Sequence, residues 1–385
     1  MNKQNSVIRP NDFRESSSLY EISCEAGKEN LKKLLELYPE RDQWEKRAES
    51  VKGGILKTAR LYPLPEKTAL KPRIRNRKSG PGYSVYNVAF ESYPGFYCFG
   101  NLYMPEKNSP GCGLWPAMLH PHGHFDREGG RFSPMVQAGS ATLARMGVIV
   151  FTYDMVGWGE SLQVSHTDDY VFTYQLWNSL RSVDFLLSLG KVDRKRIGIT
   201  GASGGGTQAF MAAAVDGRLA LSVPVVMVSA HFYGGCHCES DLPVHSKTGT
   251  NNVEIAALTA PRPQLLVSAG SDFTQNTPRI EYPYLQRIYE LYGKSGNIEN
   301  VHFWDGKHDY NLKKRTAMYR FVAKHFGLKL LKLAGASGDL QEEVEIFSET
   351  ELRITANACT DIKLYPASEK LRKELLQSES RPDVI

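Results

Sequence analysis

Hydrophobic positions change their spacing about 80 residues into the chain, and the change predicts two kinds of structure. In the first part, apolar residues recur at helical spacing, as shown by Leu31, Leu34, Leu35 and Leu37 and then by Trp44, Ala48 and Val51. Three prolines, at positions 63, 65 and 72, then interrupt any helix. We therefore predict a helical N-terminal extension over residues 1–80.

From Tyr83 onward, short apolar runs rich in β-branched and aromatic residues predict strands. Segments 83–90 and 96–104 flank a Pro-Gly turn signal and are expected to form a hairpin. Further strands alternate with helices: the strands are predicted at 116–120, 148–153, 196–200, 221–228, 264–268 and 301–304, and the helices near 140–145, 171–189, 205–214, 280–293 and 312–326. This alternation indicates the α/β class, with a mostly parallel central sheet and helices on both faces, over a catalytic domain at 81–330. The polar segment 331–385 is expected to be a C-terminal extension or the start of a further domain.

Composition narrows the class of protein and of partner. Hydrophobic residues make up 41% and charged residues 23% of the chain, as in ordinary soluble globular proteins. The apolar stretches are too short to cross a bilayer, and the N-terminus lacks the apolar core of an export signal. We expect a cytoplasmic protein without membrane partners, or a periplasmic or secreted one if a signal has been removed. A net charge of +5 is too mild to indicate nucleic acid, and the basic run at 71–78 is interpreted as a solvated connector. The oligomeric state stays open.

A Gly-x-Ser-x-Gly pattern centred on Ser203 is the first indication of a catalytic residue. An apolar strand precedes it and a run of small residues able to form a helix follows, which is the setting of a nucleophile elbow. Gly201 and Gly205 allow the tight turn that lifts the serine hydroxyl above the sheet. The start of the helix directs backbone N–H groups at an oxyanion forming there.

A nucleophilic serine needs a base and an orienting acid, and in this fold they follow it along the chain. Asp272 comes just after one predicted strand, and His308 comes just after the next. Both therefore lie at the sheet edge where catalytic groups collect. Asp305 and Asp309 are rival acids, but they are too near His308 in sequence to approach its ring easily. We predict Ser203, Asp272 and His308 as the triad.

The segment His120-Pro-His-Gly-His124 follows an early strand and is expected to supply a second oxyanion donor. Its amide at His124 would act with the amide at Gly204, and His122 is a candidate substrate contact. Three histidines in five residues also suggest a metal site. However, alternating residues at a strand end cannot all face one ion, so we predict no metal here.

A second cluster, Cys236-His237-Cys238-Glu239, allows two interpretations. With His231 and His245 nearby it offers zinc ligands, but the Cys-x-Cys spacing is tighter than usual and no second cysteine pair exists. The favoured interpretation is a glycine-hinged loop on the rim of the cleft, with Glu239 facing the substrate. Trp158 either lines the pocket or packs inside the protein.

Taken together, these motifs resemble a known family. They are Tyr93-Pro-Gly-Phe96, Gly100-Asn-Leu-Tyr-Met-Pro105, His120 to His124, Tyr153-Asp-Met-Val-Gly157, Gly201 to Gly206, Cys236-x-Cys238-Glu239 and Gly306-Lys-His-Asp-Tyr310. The set is similar to bacterial acetyl-xylan-esterase-like α/β-hydrolases, related to the dienelactone hydrolase and prolyl-oligopeptidase-like branches, over residues 50 to 330. The resemblance implies the α/β-hydrolase fold, the same triad and a carbohydrate ester as substrate. Many relatives carry an export signal, and some continue into a second domain.

We therefore expect a serine esterase that works through an acyl-enzyme, most simply on O-acetyl groups of carbohydrate, and that requires no cofactor. A lactonase or peptidase-like hydrolase of the same fold is one alternative. A hydrolase scaffold that has become an inactive binding module is another, although the serine, aspartate and histidine are all present.

Overall fold

The computed structural model describes residues 21–106, 113–124, 129–239, 242–331, 333–334, 339–356, 362 and 374. The strands of its main sheet are β1 (Arg73–Gly80), β2 (Tyr83–Tyr93), β3 (Phe96–Pro105), β4 (Trp115–Leu119), β5 (Ile149–Tyr153), β6 (Val192–Ala202), β7 (Leu221–Val225), β8 (Gln264–Ser271) and β9 (Ile298–Lys307). The helices are α1 (Cys24–Leu37), α2 (Arg41–Thr58), α3 (Pro134–Arg145), α4 (Val171–Ser188), α5 (Gly204–Val215), α6 (Leu242–Thr248), α7 (Asn252–Ala257), α8 (Glu281–Leu291), α9 (Leu312–Phe326) and α10 (Glu349–Leu352).

The nine strands form one sheet in the order β1-β2-β3-β5-β4-β6-β7-β8-β9. The first three strands pair antiparallel, and β3 also pairs antiparallel with β5. All pairings from β5 to β9 are parallel. The sheet confirms the predicted α/β class, and the predicted strands and helices from residue 83 to 326 are present with shifted ends.

Buried apolar residues cover both faces of this sheet. Within β5, Val150 belongs to the cluster that includes Leu143 of α3 and Val322 of α9. Its neighbour Phe151 belongs to the cluster formed with α4, α5 and α8, where Phe185 packs. Successive strand residues point to opposite faces, so the two clusters are the two covered sides predicted from the apolar runs.

The basic run at 71–78 was expected to be a connector, and this was wrong for most of its length. Residues Arg73–Gly80 form β1, the edge strand of the sheet, and pair with β2. β1 lies at an edge of the sheet, and none of its residues is buried. The segment therefore has no apolar run. Lysine and arginine on such an edge discourage pairing with another chain. Of the predicted extension over residues 1–80, residues 1–20 lie outside the described part of the chain. In the rest of it the helices are α1 and α2, and residues 73–80 belong to the sheet.

Part of the C-terminal segment packs back on the domain. Phe347 donates its backbone N–H to Gln137 of α3 at 2.9 Å, and Ile354 donates its own to Glu160 at 3.2 Å. Leu352 and Ile354 are buried. Among the described helices, none is both long and apolar enough to span a membrane.

Candidate active site

Ser203 stands between the end of β6 and the start of α5. Its backbone has φ 55° and ψ −126°, a left-handed conformation that costs free energy for a residue with a Cβ. Two glycines make the turn possible: a Cβ on Gly201 would lie 2.5 Å from the Gly205 oxygen, and one on Gly205 would lie 2.2 Å from the Pro121 oxygen. This is the geometry of a nucleophile elbow. The serine is 7% exposed, so its hydroxyl sits in a largely enclosed site.

A histidine and a carboxylate meet at the same edge of the sheet. His308 follows β9, and its Nδ1 lies 2.9 Å from Oδ1 of Asp272, which follows β8. The Asp272 side chain is 2% exposed and its second oxygen accepts a 2.6 Å hydrogen bond from the Thr274 hydroxyl. The carboxylate is therefore held in place, and it selects the His308 tautomer with the proton on Nδ1.

The two rival acids have other surroundings. Asp309 forms an ion pair with Nζ of Lys314 at 2.5 Å and accepts from Asn311. Asp305 is exposed to solvent. Of the three carboxylates weighed from the sequence, Asp272 lies against the His308 ring, 2.9 Å from its Nδ1.

The oxyanion candidates lie beside one another. Gly204 is the first residue of α5, so its N–H is among those left unpaired at a helix start. A Cβ on Gly204 would lie 2.8 Å from Cε1 of His124, which means that the imidazole covers this glycine. The glycine is needed here because any side chain would displace His124.

His120 and His122 have different partners within the protein. His120 contacts the Ser140 hydroxyl at 3.0 Å, while Nε2 of His122 accepts the Met155 N–H at 3.0 Å. Burial lowers the pKa of each ring to about 3, so both are neutral at neutral pH. Because His122 is buried and bonded through both nitrogens, its contacts give no support to its predicted role in substrate binding.

Glu239 was predicted to face the substrate, but its two oxygens are engaged within the protein. One lies 2.9 Å from Nδ1 of His124 and the other accepts the Gly235 N–H at 2.6 Å. Burial alone would raise the pKa of this carboxyl, but His124 and the Gly235 N–H outweigh it and hold the pKa below its ordinary value. Glu239 therefore orients His124.

Trp158 packs against imidazole rings. Its ring centroid lies 5.7 Å from that of His122 and 5.9 Å from those of His124 and His166. It is only partly buried, and its predicted role in lining the pocket stays a prediction.

Two histidines and two cysteines come together beside Trp158. The ligand atoms of His124, His166, Cys236 and Cys238 all lie within 4.8 Å of one another. Nε2 of His124 lies 2.8 Å from Nε2 of His166 and 3.0 Å from Sγ of Cys238. The structure joins the two cysteines as a disulfide.

Sequence reasoning missed His166 and chose the wrong companions for the cysteines. His231 contacts Ser229, and His245 contacts Asn252, each at 3.0 Å. His166 lies in the loop between β5 and α4, 70 residues before Cys236, and no motif marks it. Only the fold brings these segments together.

Comparison with known proteins places this chain in a family. The acetyl xylan esterase (AXE1) family matches residues 65–234. The structure resembles that of the methylesterase BT1017, with a TM-score of 0.83 and 34% identity over 94% of this chain and 82% of that one. The chain belongs to the acetyl xylan esterase-like family of α/β-hydrolases. Among curated protein sequences, none matches it significantly.

More distant structures share the fold of this family member. A glucuronoyl esterase from Solibacter usitatus has a TM-score of 0.51 and 16% identity, over 75% of this chain and 94% of that one. A glucuronoyl esterase from Teredinibacter turnerae has a TM-score of 0.54 and 14% identity, over 74% and 86%. Family membership makes the protein a carboxylic ester hydrolase of the carbohydrate esterase kind.

Proposed function

We propose that the protein is a serine esterase that removes O-acetyl groups from carbohydrate, with Ser203 as nucleophile, His308 as base and Asp272 as orienting acid. The observation that carries the proposal is the 2.9 Å contact between His308 and Asp272, at the sheet edge where β6 ends in the Ser203 elbow. Strand order supports it, because β6, β7, β8 and β9 are consecutive neighbours whose carboxyl ends meet there.

In the first half of the reaction, Ser203 attacks the ester carbonyl as its proton passes to Nε2 of His308. Nε2 can accept this proton because Nδ1 carries the proton that bonds to Asp272. The negative charge on the carbonyl oxygen is stabilised by the amides of Gly204 and His124, at roughly 3–4 kcal/mol for each well-placed donor. His308 then returns its proton to the sugar oxygen, and the alcohol leaves.

In the second half, water attacks the acetyl-enzyme and His308 again acts as the base. The tetrahedral intermediate uses the same two amides. Its collapse frees acetate and restores the Ser203 hydroxyl.

The test compares Ser203→Ala with the unchanged protein on a chromogenic acetate ester and on acetylated xylo-oligosaccharides. Hydrolysis should fall to near background in the variant, and a fluorophosphonate probe should label only the protein that carries Ser203. A Ser203→Ala protein that keeps the original rate, or an original protein that the probe does not label, would sink the proposal. The second result is also what an inactive binding module would give.

A methyl ester of a sugar acid is the second candidate substrate, and the 34% identity to a methylesterase favours it. The two substrates differ in where the sugar lies. In an acetyl ester the sugar is the leaving alcohol, whereas in a methyl ester it forms the acyl part and stays on Ser203. Measuring acetate and methanol released from acetylated xylo-oligosaccharides and methyl-esterified oligouronides separates the two.

A further inference from the structure

The side chains of four residues with metal-ligand chemistry come together: His124, His166, Cys236 and Cys238. Three sulfur–nitrogen separations are 3.0 Å, 3.5 Å and 3.8 Å. A tetrahedral zinc ion with ordinary bond lengths would set such separations at about 3.5 Å. The four ligand atoms are therefore already grouped at the scale of one metal ion.

The outer nitrogens of both imidazoles are held by acceptors. Nδ1 of His124 donates to Glu239, and Nδ1 of His166 donates to the Val156 carbonyl at 2.6 Å. With a proton on each Nδ1, the Nε2 lone pairs of two neutral rings point at one another across 2.8 Å. Carboxylate and carbonyl partners behind metal-bound histidines fix the ring orientation in this way.

Two lone pairs facing each other at this distance repel unless something positive lies between them. One extra proton would satisfy the two nitrogens, but once the disulfide is reduced it would leave both sulfur atoms beside it without a bonding role. A cation that accepts soft sulfur and imidazole nitrogen satisfies all four groups together, and zinc is the common biological ion with that preference.

We propose that the reduced protein binds one zinc ion through His124, His166, Cys236 and Cys238. Reduction of the disulfide by a dithiol supplies two electrons and two protons and gives two thiols, while the dithiol becomes a disulfide. Zinc then replaces the two thiol protons, which pass to solvent. The Cα atoms of Cys236 and Cys238 are 5.4 Å apart, so both sulfurs reach one ion from the same short loop.

Four protein ligands leave no open position, so this zinc is structural. It ties the loop that carries Glu239 to the loop that carries His124, next to Gly204 at the start of α5. Its importance for hydrolysis rests on the proposed function, since it would then hold the amide of His124 in place. Zinc binding itself is independent of that function.

The experiment measures bound metal. The full chain is reduced with a dithiol without oxygen, incubated with zinc, freed of excess metal and analysed by mass spectrometry of the elements. We expect one zinc per chain, and with cobalt in place of zinc a thiolate-to-metal absorption band. A reduced protein that retains no zinc would overturn the proposal, whether or not it hydrolyses esters.

Variants identify the ligands. His166→Ala and Cys238→Ser should each lose the metal. Cys24→Ser, at an exposed cysteine far along the chain, and His237→Ala, at the exposed residue between the two cysteines, should retain it. If His166→Ala and Cys238→Ser both keep one zinc, the site is elsewhere and the proposal fails.

A second measurement covers ligand variants that do not fold. Zinc added to the reduced original protein should raise its thermal midpoint and slow alkylation of Cys236 and Cys238, as located by peptide mapping. Unchanged midpoint and unchanged alkylation with zinc in excess would contradict the proposal.

Discussion

The side chains of Asp272 and His308 are joined by a 2.9 Å hydrogen bond although 36 residues separate them in the chain. Helix α8 and strand β9 occupy the interval and bring the two loops to adjacent strand ends. The carboxylate is buried, whereas the His308 side chain is 31% exposed. The Nδ1 edge of the ring is thus fixed from within the protein.

This contact predicts the effect of Asp272→Asn. An amide in this place would donate to Nδ1 and favour the tautomer whose proton is on Nε2, which cannot accept the Ser203 proton. We expect kcat to fall by roughly three to four orders of magnitude with the fold retained. Steady-state kinetics beside circular dichroism measures both quantities. Asp305→Asn, at the exposed neighbouring acid, serves as the control and should stay within a few-fold of the original rate.

The elbow predicts a large penalty for Gly205→Ala. The added methyl would lie 2.2 Å from the Pro121 carbonyl oxygen, and backbone cannot move aside as a flexible side chain would. Overpacking of this kind costs about 1–3 kcal/mol or more, which exceeds the gain in helix propensity from alanine. The matched control is Gly217→Ala, where nothing lies within 4 Å of the new methyl. Equal denaturant midpoints for the two variants would contradict this account of the turn.

The sheet and the elbow were predictable because their signals are local. Strands such as β5 and β7 are short, mostly apolar and fully buried, and Ser203 lies between a strand pattern and a small-residue helix. Asp272 and His308 were predictable for a related reason, since both follow strands directly and parallel strands end at a common edge.

The rest depended on contacts between distant segments. β1 is an edge strand of mostly polar residues, so no hydrophobic pattern in the sequence predicts it. His166 lies in a loop, and its proximity to Cys236 follows from how that loop packs on the segment after β7. Glu239 looked available to a substrate because the sequence does not reveal that His124 and Gly235 occupy both oxygens.

A buried carboxyl at the start of α8, which accepts the Ala230 N–H at 3.2 Å, predicts a dependence of stability on pH. Glu281 at the start of α8 is fully buried, and burial raises its pKa to about 7, against an ordinary value of 4.5. The folded state therefore holds this proton more tightly than the unfolded state, and the stabilisation present below pH 4.5 is lost as the pH rises to about 7.

Glu281→Gln removes this titration. Relative to the original protein, the variant should gain stability with rising pH, by on the order of 2–3 kcal/mol between pH 4 and pH 8. Denaturant unfolding across that range gives the difference curve. Glu290→Gln, on the exposed side of the same helix, should show a flat curve. A flat curve for Glu281→Gln as well would mean that the carboxyl is ionised in the folded protein at no cost.

The N-terminal helices are predicted to depend on one buried ion pair. Arg47 of α2 donates from two nitrogens to the two oxygens of Glu254 in α7, each at 2.8 Å, and Tyr38 donates to the same carboxylate at 2.9 Å. The Glu254 side chain has no exposed surface, so Arg47→Ala would leave a buried charge without its cation. We expect a loss of about 3–5 kcal/mol in the free energy of unfolding. Lys46→Ala, which removes a solvent-exposed pair with Asp42, should change it by less than about 1 kcal/mol.

A double variant tests whether the unpaired charge is the cause. Glu254→Gln keeps a side-chain oxygen for the Tyr38 hydroxyl and removes the negative charge, so adding it to Arg47→Ala should restore much of the lost stability. Chemical denaturation of both single variants and the double variant gives the coupling free energy. If the double variant is as unstable as the sum of the singles, the penalty comes from lost packing of the Arg47 side chain. If it recovers, the docking of α2 on the catalytic domain is governed by neutralisation of Glu254.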